Sequence, residues 1–195
     1  MLGADGNPWV VLVHGFHVEG LATWDANAGD LAEAGMHVVA VDLKGFGHSV
    51  RDATPIYSLR SQALLLAKAL NELRVRQATN VEYCWGKAVA LQLAYEQPQF
   101  VGRLVLISPL AEESPSSLWR LAARVPYLGR AAIWATTAGG PIDTFTRKRG
   151  FYDQSALSKD YLSEIGKPTH IVGTIDALLA MAASPTDSDL PKAIL

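Results

Sequence analysis

The chain holds a single cysteine, Cys84, so no disulfide can form within it. A lone thiol suits a reducing compartment. Long runs of one charge sign are also missing. Seventeen Lys and Arg stand against 19 Asp and Glu, a formal net charge of -2, and no extended Lys/Arg-rich run stands out. This composition gives no basis for a nucleic-acid or anionic-membrane partner. No apolar run approaches the ~20 residues that a membrane span needs. Met1 to Pro8 lacks the basic start and apolar stretch of a signal peptide, so the expectation is a cytoplasmic protein that does not engage a membrane. No internal repeat and no low-complexity tract occurs. No pair of histidines or carboxylates has convincing metal-ligand spacing, although His17 and Glu19 are close in sequence, so neither a metal nor another cofactor is expected. Gly45-Phe46-Gly47 lacks the third glycine and following helix of a dinucleotide fingerprint.

The chain has 195 residues, 49% apolar and 18% charged, enough for one domain with a real core. Trp9 to Val13 and His37 to Val41 read as buried strands, Asn80 to Tyr83 as a short third strand and Val101 to Ile107 as the fourth. Between them lie helix-like segments: Trp24 to Ala34, closed by Gly35; a Leu- and Ala-rich stretch opened by Ser58 and running to about Leu73; and Gly86 to Tyr95. Strand and helix alternate, and the strands are apolar throughout. That pattern predicts an α/β protein with a doubly wound, mostly parallel sheet over residues 1–110. From Glu112 the pattern changes to short helical pieces broken by Pro115, Pro126, Gly139-Gly140-Pro141, Gly150 and Pro168. Residues 111–195 are therefore expected to form a C-terminal helical cap, packed by Trp119, Tyr127, Trp134 and Phe145.

The most informative segment is Val81-Glu82-Tyr83-Cys84-Trp85-Gly86-Lys87-Ala88. A small nucleophile between a short buried strand and a helix matches the nucleophile-elbow arrangement, which exposes the side chain at the sheet's carboxyl edge. The helix N-terminus and its unpaired N–H groups there favour a thiolate. His48 is read as structural within its turn, and His37 as a strand-edge residue.

Here the chain resembles the α/β-hydrolase superfamily, in its branch with a helical cap. Four stretches arrive in that family's order: His14-Gly15-Phe16; Asp42-Leu43-Lys44-Gly45-Phe46-Gly47-His48-Ser49; Cys84-Trp85-Gly86; and Gly102 to Pro109. The resemblance implies that Cys84 takes the nucleophile's place. It also implies that the backbone N–H groups of Phe16 and Trp85 take the two oxyanion-hole places, while His14 supports its loop. Tyr83-Cys84 resembles the elbow of dienelactone hydrolases, which use a cysteine-histidine-aspartate triad. His17, Glu19 and Glu82 are candidates to contact a small-molecule substrate.

The departures are specific. Glu82 stands where the family has the first glycine of its elbow, and glycine there permits close backbone approach. Lys87 replaces a small residue, and Glu82 and Lys87 either pair or reshape the pocket. Lys44 stands where proline is frequent. Family members usually carry two strands before the first one here and two after the cap, the latter bearing the catalytic acid and histidine. On that pattern the chain stops before them. His170 is then the one histidine downstream of Cys84 and the candidate base, with Glu112 and Glu113 where some members place the acid.

Three readings stand. The first is a carboxylesterase-like hydrolase acting on an ester, thioester or related acyl substrate. The second is a non-catalytic small-molecule-binding protein. The third is an engineered or truncated fragment of the fold. With four strands, the family order leaves the second and fourth as sheet edges with unpaired N–H and C=O groups. That predicts a homo-oligomer, most simply a dimer, or association with a complementing C-terminal segment. Sedimentation across a dilution series should show self-association. A monodisperse monomer at high micromolar concentration would contradict it.

Overall fold

Strands β1 (Trp9–Val13), β2 (His37–Val41), β3 (Ala78–Tyr83) and β4 (Val101–Ile107) form one sheet in the order β2-β1-β3-β4. They belong to a computed structural model that describes residues 1–16, 20–52, 56–108, 125, 127–131 and 167–183. Every pairing is parallel. β1 lies between β2 and β3, with Val13 beside both Val41 and Glu82, so the ends of three strands meet along one edge. β1, β2 and β4 have the bounds that their apolar runs predict. β3 begins two residues earlier than expected, at Ala78, where its register with β4 shifts.

Three helices cover the sheet: α1 (Asp25–Glu33), entered through a 3-10 turn at Gly20–Trp24, α2 (Leu59–Glu72) and α3 (Gly86–Glu96). Alternation along β1 sets which face each covers. Val10 and Leu12 point toward α1, packing with Trp24, Ala28 and Val38. Val11 and Val13 point toward α2 and α3, packing with Leu66, Leu70, Val89 and Leu93. Each buried aliphatic side chain contributes roughly 1.5–3 kcal/mol relative to exposure. Both faces are thus covered at the central strand β1, as expected for a doubly wound fold, whereas β4 has no buried residue.

The helix ends follow local chemistry. Ser58 caps α2, its hydroxyl oxygen accepting the Ser61 N–H at 3.2 Å. α1 closes on Gly35, with φ +84°, whose N–H donates to Ala32 O while Met36 N–H reaches Leu31 O. α2 closes the same way on Arg74, with φ +58°, through Arg74 N–H to Asn71 O and Val75 N–H to Leu70 O. An arginine occupies the left-handed position there because Val75 and Leu70 are both fully buried and fix the chain.

Beyond Ser108 the described residues hold a helical turn at 127–131, a 3-10 turn at Lys167–His170 and helix α4 (Thr174–Ala183), with no strand. Ala177, Leu178 and Met181 of α4 are buried with Leu43, Phe46 and Tyr57, so this helix joins the main core. Tyr127, expected to pack a cap, is 87% exposed. Trp119, Trp134 and Phe145 lie outside the described residues. The expectation of two bare sheet edges needs a correction at β2. Leu2 bridges Val38 antiparallel, with N–H···O distances of 3.0 and 2.8 Å. At the other edge Val105, Leu106 and Ile107 of β4 are exposed. No helix among the described residues is long and apolar enough to cross a membrane.

Candidate active site

β3 ends at Tyr83 and α3 begins at Gly86, so the chain reverses within two residues. Cys84 makes the turn with φ +54°. A non-glycine residue there costs on the order of 1–3 kcal/mol and persists only where its surroundings fix it. Its N–H donates to Ile107 O at 3.0 Å, anchoring the turn to β4. Gly86 sits hard against the end of β1: a Cβ built on it would lie 2.7 Å from His14 O and 3.1 Å from Val13 O. No larger residue fits that position without a shift. The elbow predicted from sequence is therefore formed, and formed with Glu82 in the first glycine's place.

The loops after β1 and β2 are tied to one another. The buried His14 ring sits with Nδ1 2.6 Å from Gly15 O and accepts the Leu43 N–H at Nε2, at 3.0 Å. This places the proton on Nδ1 and gives both ring nitrogens structural partners. The Asp42 carboxylate accepts from Leu21 N–H at 2.6 Å and His48 N–H at 2.9 Å. Gly47, with φ +47°, leaves room for that carboxylate, into which any Cβ would run. Arg51 donates to Ser49 O at 2.6 Å, to Gly47 O, and to Thr174 Oγ1 at 2.8 Å. The Thr174 hydroxyl in turn donates to Pro168 O at 2.7 Å, so α4 is fastened to the rim of this region. Lys44, where proline is frequent in the resembled family, uses its N–H: it donates to Gln62 Oε1 at 3.1 Å, while Gln62 Nε2 donates to Lys44 O at 2.9 Å. Asp42, Phe46, Arg51 and Gln62 were not singled out as functional from sequence. Asp42 carried a signal, an acid closing a strand just before a Gly-x-Gly turn. Arg51 and Gln62 carried none.

Phe16 and Trp85 face each other across the elbow. Their rings meet edge-on at 5.7 Å, and Phe16 is 37% exposed. Neither backbone N–H has a hydrogen-bond acceptor among the described residues. The Trp85 N–H, next in the chain to Cys84 and at the start of α3, is of the kind that stabilises negative charge.

The remaining candidates are dispersed. His170 is exposed in the turn before α4 and makes no hydrogen bond or ion pair with a described residue. His17 and Glu19 lie outside the described residues, as do Glu112 and Glu113. His37 is buried and stacks on Trp9 at 3.9 Å. Among the described residues no group of three His, Cys, Asp or Glu could hold a metal ion. Glu82 is fully buried, and neither carboxylate oxygen has a hydrogen-bond partner. It does not pair with Lys87, so of the two alternatives for these residues the ion pair is ruled out. Without access to solvent, Glu82 lies beneath the site and does not line its surface.

A family model described as alpha/beta hydrolase fold matches residues 8–159. The chain belongs to the α/β-hydrolase fold family. Epoxide hydrolase A of Mycobacterium tuberculosis is 30% identical over 123 residues, covering 60% of this chain and 38% of that protein. Bifunctional epoxide hydrolase 2 of Sus scrofa is 34% identical over 113 residues, covering 56% and 20%. The solved structure of epoxide hydrolase CorEH without ligand matches with a TM-score of 0.76 at 21% identity, over 93% of this chain and 67% of that one. At that identity the structural likeness shows the fold alone. The alignments span well under two thirds of the length of these curated α/β-hydrolase relatives.

Glu82 sets a pH dependence. Burial holds its pKa well above the ordinary value of 4.5. At low pH the carboxyl is protonated in both folded and unfolded chains and does not affect stability. Above 4.5 the unfolded chain ionises and the folded chain does not. Stability then falls by about 1.4 kcal/mol per pH unit until the folded carboxyl titrates. Glu82→Gln should remove that slope, measured by urea unfolding from about pH 5 to about pH 8. Parallel profiles for the two proteins would show that Glu82 is already ionised when folded.

Proposed function

We propose that this α/β-hydrolase-fold chain carries an acyl-transfer site of the hydrolase class, in which Cys84 attacks the carbonyl of a small ester, thioester or related acyl substrate. The observation that supports this most is the left-handed Cys84 between β3 and α3, with Phe16 and Trp85 in ring contact at this turn and their N–H groups without an acceptor among the described residues. In the forward step the Cys84 sulfur bonds to the carbonyl carbon, and the π pair moves onto oxygen. The Phe16 and Trp85 N–H groups hold that oxyanion, an effect typically worth about 10²–10³ in rate per donor. Re-forming the carbonyl expels the alkoxide or thiolate, which takes up a proton, and leaves a thioester on Cys84. Water then attacks the thioester with a base accepting its proton, releasing the acid and restoring the thiol. The base is His170, or a histidine from another segment or a second chain. In this reading residues 111–195 cap the site, and neither metal nor cofactor is required.

The names of the matched relatives specify epoxide hydrolases, and hydrolysis is the chemistry this reading shares with them. A second reading, binding of a small molecule without turnover, is favoured by His170, which is exposed and makes no hydrogen bond with another described residue.

An activated short-chain aryl ester distinguishes the two. The expected outcome is weak hydrolysis with an acyl adduct on Cys84, seen by intact mass, that clears slowly because acylation needs only the thiolate and oxyanion donors. Cys84→Ala should lower turnover to the buffer rate and remove the adduct. Equal rates in wild type and Cys84→Ala would place any activity elsewhere. An unchanged rate in His170→Ala would exclude His170 as the base.

A further inference from the structure

We infer that Phe46 is a positioning residue: its ring holds the Phe16 and Trp85 segments, and with them the two N–H donors, in register with Cys84. This rests on the acyl-transfer reading above. Phe46 lies in the turn after β2 and is fully buried. Its own backbone is fixed, with its N–H donating to Leu43 O at 3.0 Å and its carbonyl accepting Ser49 N–H at 2.9 Å. From that anchored turn its ring meets His14 edge-on at 4.9 Å, Phe16 edge-on at 5.5 Å and Trp85 at 6.0 Å, tilted by 44°. Phe16 and Trp85 then meet each other.

Three segments far apart in sequence thus converge on one ring. Phe16 follows β1, Phe46 follows β2, and Trp85 opens α3. No backbone hydrogen bond joins Phe16 to Trp85. Besides the backbone contact of Gly86 with Val13 and His14, ring packing joins these two residues, and its edge-on geometry is directional in a way aliphatic packing is not. An oxyanion hole works only when its donors sit at the place where charge develops. A displacement of about 1 Å costs up to ~10² in rate. Removing the Phe46 ring should therefore weaken the donors while leaving the thiol itself in place.

Two reactions of Cys84 separate these effects. Acylation by an activated aryl ester passes through an oxyanion. Alkylation by iodoacetamide displaces iodide at a saturated carbon and forms none. In Phe46→Leu the acylation rate should fall ~10- to 100-fold, with alkylation within about twofold of wild type and the Phe16 and Trp85 amide resonances shifted. Leu70→Ala, buried on α2 and not one of the rings that meet Phe46, serves as a destabilised control and should keep the wild-type ratio of the two rates. Phe46→Tyr, which keeps the ring, should keep it too. If Phe46→Leu does not fold, Phe46→Met carries the same expectation. The inference is overturned if acylation and alkylation fall together in Phe46→Leu, or if its rate ratio equals that of Leu70→Ala. A wild-type protein that is alkylated but never acylated would instead overturn the acyl-transfer reading. Unshifted Phe16 and Trp85 amides in Phe46→Leu would then still overturn the positioning role.

Discussion

The first turn of α3 lies against the end of β1 with no room for a side chain, and the site region is arranged around that contact. Gly86 is the residue that allows it, with the carbonyls of Val13 and His14 directly beneath. Because α3 approaches so closely, the chain must leave β3 and enter the helix within two residues. That sharp reversal places Cys84 in the left-handed region. The same contact brings the α3 N-terminus beside the loop holding His14 and Phe16. Backbone conformation, helix field and candidate donors therefore have one geometric origin.

Around this contact the loops are held by polar groups whose capacity is largely used. His14 spends both ring nitrogens on backbone groups, and Asp42 accepts from two segments. Such satisfied networks fix loops that carry no regular structure. Glu82 is an exception, a carboxyl buried without a donor at the strand step before the elbow. Its sheet neighbours are Val13 and Leu106, both apolar, which is why burial alone dominates its titration. The elbow forms despite the lost glycine because the place where a side chain is sterically forbidden is Gly86, on the helix side.

Much of the fold was legible because parallel strands covered on both faces are apolar end to end. Trp9–Val13, His37–Val41 and Val101–Ile107 could be read directly. The start of β3 could not, since Ala78 carries little strand signal, Thr79 stands alone before the polar Asn80, and the register with β4 shifts between Ala78 and Thr79. Gly35 announced the end of α1, whereas Arg74 in the same left-handed role did not, because tertiary packing holds it there. In the candidate site, Cys84 was legible as a candidate through a local strand-turn-helix pattern, and Phe16 and Trp85 only through the family resemblance. The aromatic hub at Phe46 and the Arg51–Thr174 link were not, since both join segments distant in sequence.

The close contact at Gly86 is most directly tested by Gly86→Ala, with the free energy of unfolding and the ester acylation rate of Cys84 measured together. Alanine ordinarily favours a helix over glycine by up to ~1 kcal/mol, whereas forcing a methyl group into a filled space costs about 1–3 kcal/mol. The account predicts a net loss of stability, with slower acylation in the fraction that remains folded. A variant as stable as wild type or more so, with unchanged acylation, would show that α3 does not rest on β1 in this way and that the elbow around Cys84 is built differently.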